Sequence, residues 1–333
     1  MTQHDDPLHW GTPIRFQADF NPMGTPVRVE SNHEAVIQVA RENFGRYGKP
    51  NPGESPKFLL RVCVDPVHRA GPPWPKPRFR SLKHLVHIAC GDSNFAIADL
   101  DTGVCIGFVT EAMVDDASFF KSTFLDCLFY VLAVHHDYTP VHCSGVVSEG
   151  RGVLICGISG TGKTTLAYAC VRSGLQVLSD DVVHLRIDPQ SSRLRLWGRP
   201  WFLRLQPETG RLFQELHGLQ PQLRSDHEWY LEIDVEHQFP GSAVVSCEPQ
   251  ALVFLERHEN NETRLEPLDV DSALKRLMKD IYADEPSVIE RHRQALVELL
   301  RTKAYVLNYS GEPAKAVEVI QSILNSSQSG HSR

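Results

Sequence analysis

No two cysteines in this 333-residue chain show the C-x-x-C spacing of a metal knuckle or a dithiol redox centre. The eight cysteines (Cys63, Cys90, Cys105, Cys127, Cys143, Cys156, Cys170 and Cys247) lie singly, several inside apolar runs such as LLRVCV and GVLICG. That usage suits a reducing cytoplasm better than a disulfide framework, and a cytoplasmic location is expected. Positive charge is also in deficit. A formal charge of −7 argues against general attraction to nucleic acid or to an anionic membrane, so neither is expected as a partner. The longest apolar stretch, FLDCLFYVLAV at 124–134, falls short of the roughly 20 residues a bilayer span needs and contains Asp126, so it reads as a buried helix. The opening MTQHDDPLHW carries acid where a secretory signal carries base. There is no tandem repeat, no nucleophile elbow of a Ser-His-Asp hydrolase, and no second signature of a motor-type or ABC-type ATPase. Low complexity is confined to the tail NSSQSGHSR, expected to fray.

What remains is a globular composition, 41% hydrophobic and 23% charged, in a chain long enough for one large domain or two ordinary ones. In the first third, Ser31 and Glu34 predict a capping box for a helix reaching about Tyr47, followed by strands KFLLRVCVD, KHLVHIAC, SNFAIADL and VCIGFVT. The proline-rich HRAGPPWPKPRFRS reads as a stiff surface loop. A helix at about 113–136 leads into two strands joined by SEGRG, a helix from Lys163 to Ser173 and the strand LQVLS. VVHLRID and SRLRLWGR form a hairpin, and WYLEIDV, ALVFLER and TRLEPLD follow as strands. Helices at about 270–283 and 286–302, the strand AYVLNYS and a helix from Pro313 complete the chain. So many short adjacent strands predict an α/β (α+β) fold with a mixed sheet rather than an all-parallel one. The expected division is an N-terminal α/β module at 1–115, a catalytic domain at 116–325 and a tail at 326–333, with the boundary soft over 115–135.

The strongest motif is Gly157-Ile158-Ser159-Gly160-Thr161-Gly162-Lys163-Thr164-Thr165, which satisfies G-x-x-x-x-G-K-[ST], the Walker A phosphate-loop pattern. Glycines let the backbone curl until several N–H groups converge on phosphate oxygens, and the helix that follows adds its positive N-terminal end. Lys163 is expected to reach the outer phosphates of ATP and the Thr164 hydroxyl to ligate Mg²⁺. Asp180 and Asp181 follow Lys163 after room for one helix and one strand, which predicts that they return beside the loop. Of two carboxylates there, one can hold Mg²⁺ while the other accepts the proton of an attacking hydroxyl. His142 lies on the strand before the loop strand.

His142, then GVLICGISGTGKTT, then VLSDD resembles the catalytic domain of HPr kinase/phosphorylase and of HPr-kinase-like proteins, whose nucleotide site is shared with the phosphoenolpyruvate carboxykinases. The resemblance covers 138–190 closely and 190–325 loosely. It implies an ATP- and Mg²⁺-dependent serine kinase, with a protein or peptide acceptor and often an oligomeric state. Lys163 would contact phosphate and Thr164 the metal. Asp180 would be the first choice as base, supported by His142, with Asp181 on the metal side. Thr164 stands where the bacterial enzymes usually carry serine. The family's downstream E-[IV]-R-G-L-G signature is missing; its counterpart is LEIDVEHQFPG at 231–241, without an arginine–glycine pair. The departure leaves phosphorolysis, and the phosphocarrier protein as substrate, as open questions that the resemblance does not answer. Small-molecule kinases with similar loops, and a non-catalytic ATP sensor, are the rival readings.

Weaker candidates complete the set. Strand alternation through LEIDVEH puts Glu232, Asp234 and Glu236 on one face, with Glu232 the choice for a further metal ligand. Arg199 and Arg204 could steady the transferring phosphoryl charge. His135, His136 and His142, with Asp137, are irregularly spaced for a transition metal.

Overall fold

The computed structural model describes residues 12–50, 52–66, 71–188, 191–223, 228–257, 263–281, 283, 285–310 and 312–326. The chain forms two compact units, 1–136 and 137–333. Residues 68–70 of the proline-rich loop and nearly all of the serine-rich tail lie outside the described residues.

The first unit is built on a seven-stranded mixed sheet. Its strands are β1 (Phe16–Phe20), β2 (Val27–Ser31), β3 (Phe58–Asp65), β4 (Arg78–Leu82), β5 (Leu85–Ala89), β6 (Phe95–Asp99) and β7 (Val104–Thr110), in the order β1-β2-β3-β7-β6-β5-β4. β2, β3 and β7 pair in parallel, and the remainder is antiparallel. Alternation buries Val86, Ile88, Ala96 and Ala98 on one face. Helix α1 (Glu34–Phe44) does not use the expected capping box. Ser31 instead ends β2 and donates its hydroxyl to the Val62 carbonyl, so sheet closure takes the side chain the helix would have used, and His33 becomes the N-cap.

Residues 111–136 run through α2 (Glu111–Asp115), α3 (Ala117–Phe119), a π-helical turn (Phe120–Leu125) and α4 (Asp126–His136). The stretch 117–136 is one helical run long and apolar enough, by length and composition alone, to cross a membrane, which differs from the shorter apolar stretch read from sequence. Half of it is buried: Phe129 packs on Phe44 and Phe58, and Asp126 accepts a 2.6 Å hydrogen bond from buried Asn43. These contacts make 116–136 part of the first unit's core rather than the start of the second, which moves the division between units past His136.

The second unit holds β8 (Thr139–Ser148), β9 (Arg151–Cys156), α5 (Lys163–Arg172), β10 (Gln176–Ser179), β11 (Val182–Ile187) and β12 (Leu194–Trp197). These are followed by β13 (Phe202–Leu205), β14 (Gln222–Leu223), β15 (Trp229–Asp234), α6 (Val235–Gln238), β16 (Ser246–Arg257) and β17 (Arg264–Pro267). Helices α7 (Val270–Leu277) and α8 (Pro286–Leu299), strand β18 (Lys303–Tyr309) and helix α9 (Pro313–Asn325) complete it. β9 lies between antiparallel β8 and parallel β16, and β16 continues in parallel to β18, so the sheet is mixed. A separate small sheet has the order β13-β15-β14. One core packs α5 and α9 with β13 and β15; another packs α7 and α8 with β11 and β12. The centre of the main sheet is thus covered on both faces and ends at the glycine loop.

Candidate functional site

The glycine loop leaves β9 at Cys156 and enters α5 at Lys163. Two of its glycines are sterically required. Gly162 caps α5 in a left-handed conformation (φ 96°), where an added Cβ would stand 3.0 Å from the Tyr309 hydroxyl. At Gly157 (φ 155°) a Cβ would come within 2.7 Å of Thr161 Oγ1. The Thr161 hydroxyl closes the curl by donating to the Ile158 carbonyl at 2.8 Å. Lys163 is buried, and its Nζ donates to the Gly157 carbonyl at 2.8 Å. The ammonium is therefore held inside the curl, on carbonyls it can leave for a stronger acceptor such as phosphate.

β10 and β11 run one after the other along the same edge of β8, with Asp180 and Asp181 in the break between them. The break is pinned from β8: Cys143 N–H donates to the Asp181 carbonyl at 2.9 Å, and the Ser144 hydroxyl donates to the Asp180 carbonyl. Successive residues on an extended chain face opposite ways, and the two carboxylates diverge accordingly. Asp180 points inward and is 7% exposed. Its Oδ2 accepts from the Arg204 backbone N–H at 2.9 Å, while buried Oδ1 has no hydrogen-bond partner among the described residues. Burial lifts its carboxyl to about 6, with the Thr164 hydroxyl and the Arg204 N–H acting in the opposite direction. Asp181 is exposed, and its Oδ1 lies 2.9 Å from His142 Nε2. The hydrogen bond from His142 holds the Asp181 carboxyl below its usual range and raises the imidazole above its own.

This arrangement corrects the expected partnership. The sequence reading has His142 supporting Asp180, whereas β8–β11 pairing sets His142 opposite Val182 on the exposed side, where it meets Asp181 instead. Glu232, expected as a metal ligand, pairs with Arg204 at 3.0 Å, and its carboxylate is not part of the cavity wall beside the loop. The acidic stripe also ends early, because Asp234 caps α6 by accepting from His237 N–H and Glu236 sits inside that helix. Arg204 borders the cavity and Arg199 does not. Among the described residues no group of three His, Cys, Asp or Glu could hold a metal ion, so the histidines at 135, 136 and 142 form no such site.

A cavity of about 400 Å³ gathers His142, Ser159, Gly160, Gly162, Lys163, Thr164, Asp180, Asp181 and Arg204. Gln206, Thr209, Glu228 and Tyr230 also border it. Sequence reading missed those four, which carry no motif and arrive through the β13–β15 pairing. The residues fit magnesium: a hydroxyl (Thr164) adjoins a buried carboxylate oxygen without a partner (Asp180 Oδ1), the hard-oxygen pair that ion prefers alongside phosphate oxygens.

Asp180 carries a stability cost that can be measured in metal-free protein. Its carboxyl titrates near 6 in the fold but at an ordinary value near 3.8 when unfolded. Between those values the folded state retains a proton that the unfolded state has lost, so stability falls as pH rises through that window. Asp180→Asn is expected to stabilise the metal-free protein by about 3 kcal/mol above pH 6 and to change little below pH 4. Urea unfolding at the two pH values checks this; equal effects at both would show that burial does not penalise the carboxylate.

Comparison with known proteins yields no matching family model and no matching curated protein. Among solved structures, the HPr(Ser) kinase/phosphatase from Coxiella burnetii is similar over 57% of this chain and 95% of that chain, at 17% identity and a TM-score of 0.30.

Proposed function

We propose that the protein is a Mg-ATP-dependent kinase of the HPr-kinase-like type that transfers the γ-phosphoryl group to a hydroxyl, a serine of a protein or peptide. The observation that carries this reading is the exposed His142–Asp181 pair, 2.9 Å apart, bordering the same cavity as Lys163 and Thr164. A nucleotide-gripping site alone has no need of a solvent-facing carboxylate oriented by an imidazole; an acceptor hydroxyl does.

The two aspartates divide the work by burial. Thr164 and Asp180 would hold Mg²⁺, which supplies charge neutralisation on the outer phosphates. Asp181 accepts the proton as the acceptor oxygen bonds to the γ-phosphorus and the bridging P–O bond breaks, releasing ADP. His142 orients Asp181 and keeps it ionised. Lys163 and the loop N–H groups stabilise charge on the transferring group. Antiparallel β8 beside the loop strand disfavours the small-molecule kinase reading, whose folds usually keep a parallel sheet there. The N-terminal module is assigned to acceptor selection.

Purified protein incubated with γ-labelled ATP and a cell lysate is expected to label a discrete protein on serine. Label confined to small molecules would favour the small-molecule kinase, and tight Mg-ATP binding with no labelled product would favour a sensor.

A further inference from the structure

A second, larger cavity of about 860 Å³ lies against the glycine loop and shares His142, Ser159 and Gly160 with the first. Its floor is apolar. Val141 of β8, Phe254 of β16 and Leu277 of α7, each at least nine-tenths buried, converge there from three separate elements. Above the floor the Arg276 guanidinium stands 5.3 Å over the Phe254 ring, fixed there by a 2.8 Å ion pair with Glu256. A planar cation held over an aromatic ring beside an apolar floor offers a surface on which a planar heteroaromatic ring can stack.

Where this cavity meets the loop, Arg257 forms part of its wall. Arg257 Nη2 is 3.7 Å from the position a Cβ on Gly162 would take. The Tyr309 hydroxyl, 1% exposed and behind the loop rather than in the cavity wall, lies 3.0 Å from the same point. A serine side chain does not need an apolar chamber of this size, and a free phosphate does not need an apolar floor. A molecule with a flat, weakly polar end and a phosphorylated end matches both features.

We infer that the cavity beneath the loop is the purine-nucleoside site. In it Phe254, Leu277 and Arg276 take the base, and Arg257 receives the first phosphate as the chain of phosphates passes to Lys163. The inference rests on the kinase reading above, and the test separates the two.

Mg-tripolyphosphate, which lacks a nucleoside, probes the loop alone. Wild-type protein is expected to bind both Mg-ATP and Mg-tripolyphosphate; failure to bind tripolyphosphate would count against the loop and hence the kinase reading itself. Leu277→Trp fills the chamber and is expected to weaken Mg-ATP by about thirtyfold while leaving Mg-tripolyphosphate within about threefold. Unchanged Mg-ATP affinity in a folded Leu277→Trp would overturn the nucleoside assignment. Should that variant fail to fold, irradiation of wild-type protein with 8-azido-ATP gives the same decision. Adducts within 254–280 support the assignment, whereas adducts within 204–230 place the base on the other side of the loop and refute it. If the chamber instead seats an apolar segment of the acceptor, Leu277→Trp would raise the acceptor KM without changing Mg-ATP affinity, which again refutes it.

Discussion

Asp181→Asn is expected to lower phosphoryl transfer by about 10²–10⁴-fold while Mg-ATP binding stays within about twofold. The substitution preserves shape and the 2.9 Å contact with His142, yet leaves no group to accept the hydroxyl proton. Because Asp181 is exposed, removing its charge also incurs little packing penalty, so a loss of rate can be read as a loss of chemistry. A positioning role for His142 predicts a smaller effect: His142→Ala should lower the rate by about tenfold and move the acid limb of the pH–rate profile upward, since the imidazole no longer holds the Asp181 carboxyl down. Single-turnover transfer with γ-labelled ATP, alongside calorimetric Mg-ATP binding, separates these outcomes. Full transfer in Asp181→Asn would transfer the role of base elsewhere and remove the feature that distinguishes a kinase from a sensor here.

Lys163→Ala should have the broader effect, with Mg-ATP affinity falling by at least about 100-fold and transfer becoming undetectable. In the loop the ammonium donates to the Gly157 carbonyl at 2.8 Å and more weakly to that of Ile158 at 3.4 Å. Deleting it removes both the charge that meets phosphate and the strut that holds the curl. Lys163→Met keeps most of the buried stem and tests which matters. If Met behaves like Ala, the charge dominates; if Met restores binding, the loop's shape was the greater part of the effect. Affinity equal to wild type in both variants would dissociate the loop from nucleotide binding.

The motif positions and the secondary structure were largely legible in sequence for different reasons. Gly157, Gly162 and Lys163 announce themselves because a tight backbone curl tolerates few residues, and the structure requires glycine at both positions. Strands such as β3 and β7 and helices α8 and α9 followed from apolar periodicity, which is a local property. Ser31 shows the limit of local reading: its hydroxyl could cap a helix or close a sheet, and the Val62 carbonyl, thirty-one residues away, decided between them. The acidic stripe failed for a related reason, because Asp234 had a nearer use as the cap of α6.

The sequence by itself determined where the glycine curl begins and ends, that a helix follows it, and that two acids return soon afterwards, because each depends on neighbours a few residues apart. Only the tertiary structure decided what those acids are for. β8 pins the break between β10 and β11, turning Asp180 into the fold beside Thr164 and Asp181 outward onto His142. Adjacent identical residues thereby acquire opposite burial and opposite shifts in acidity, and burial is set by strands paired across the sheet, which a linear sequence does not display.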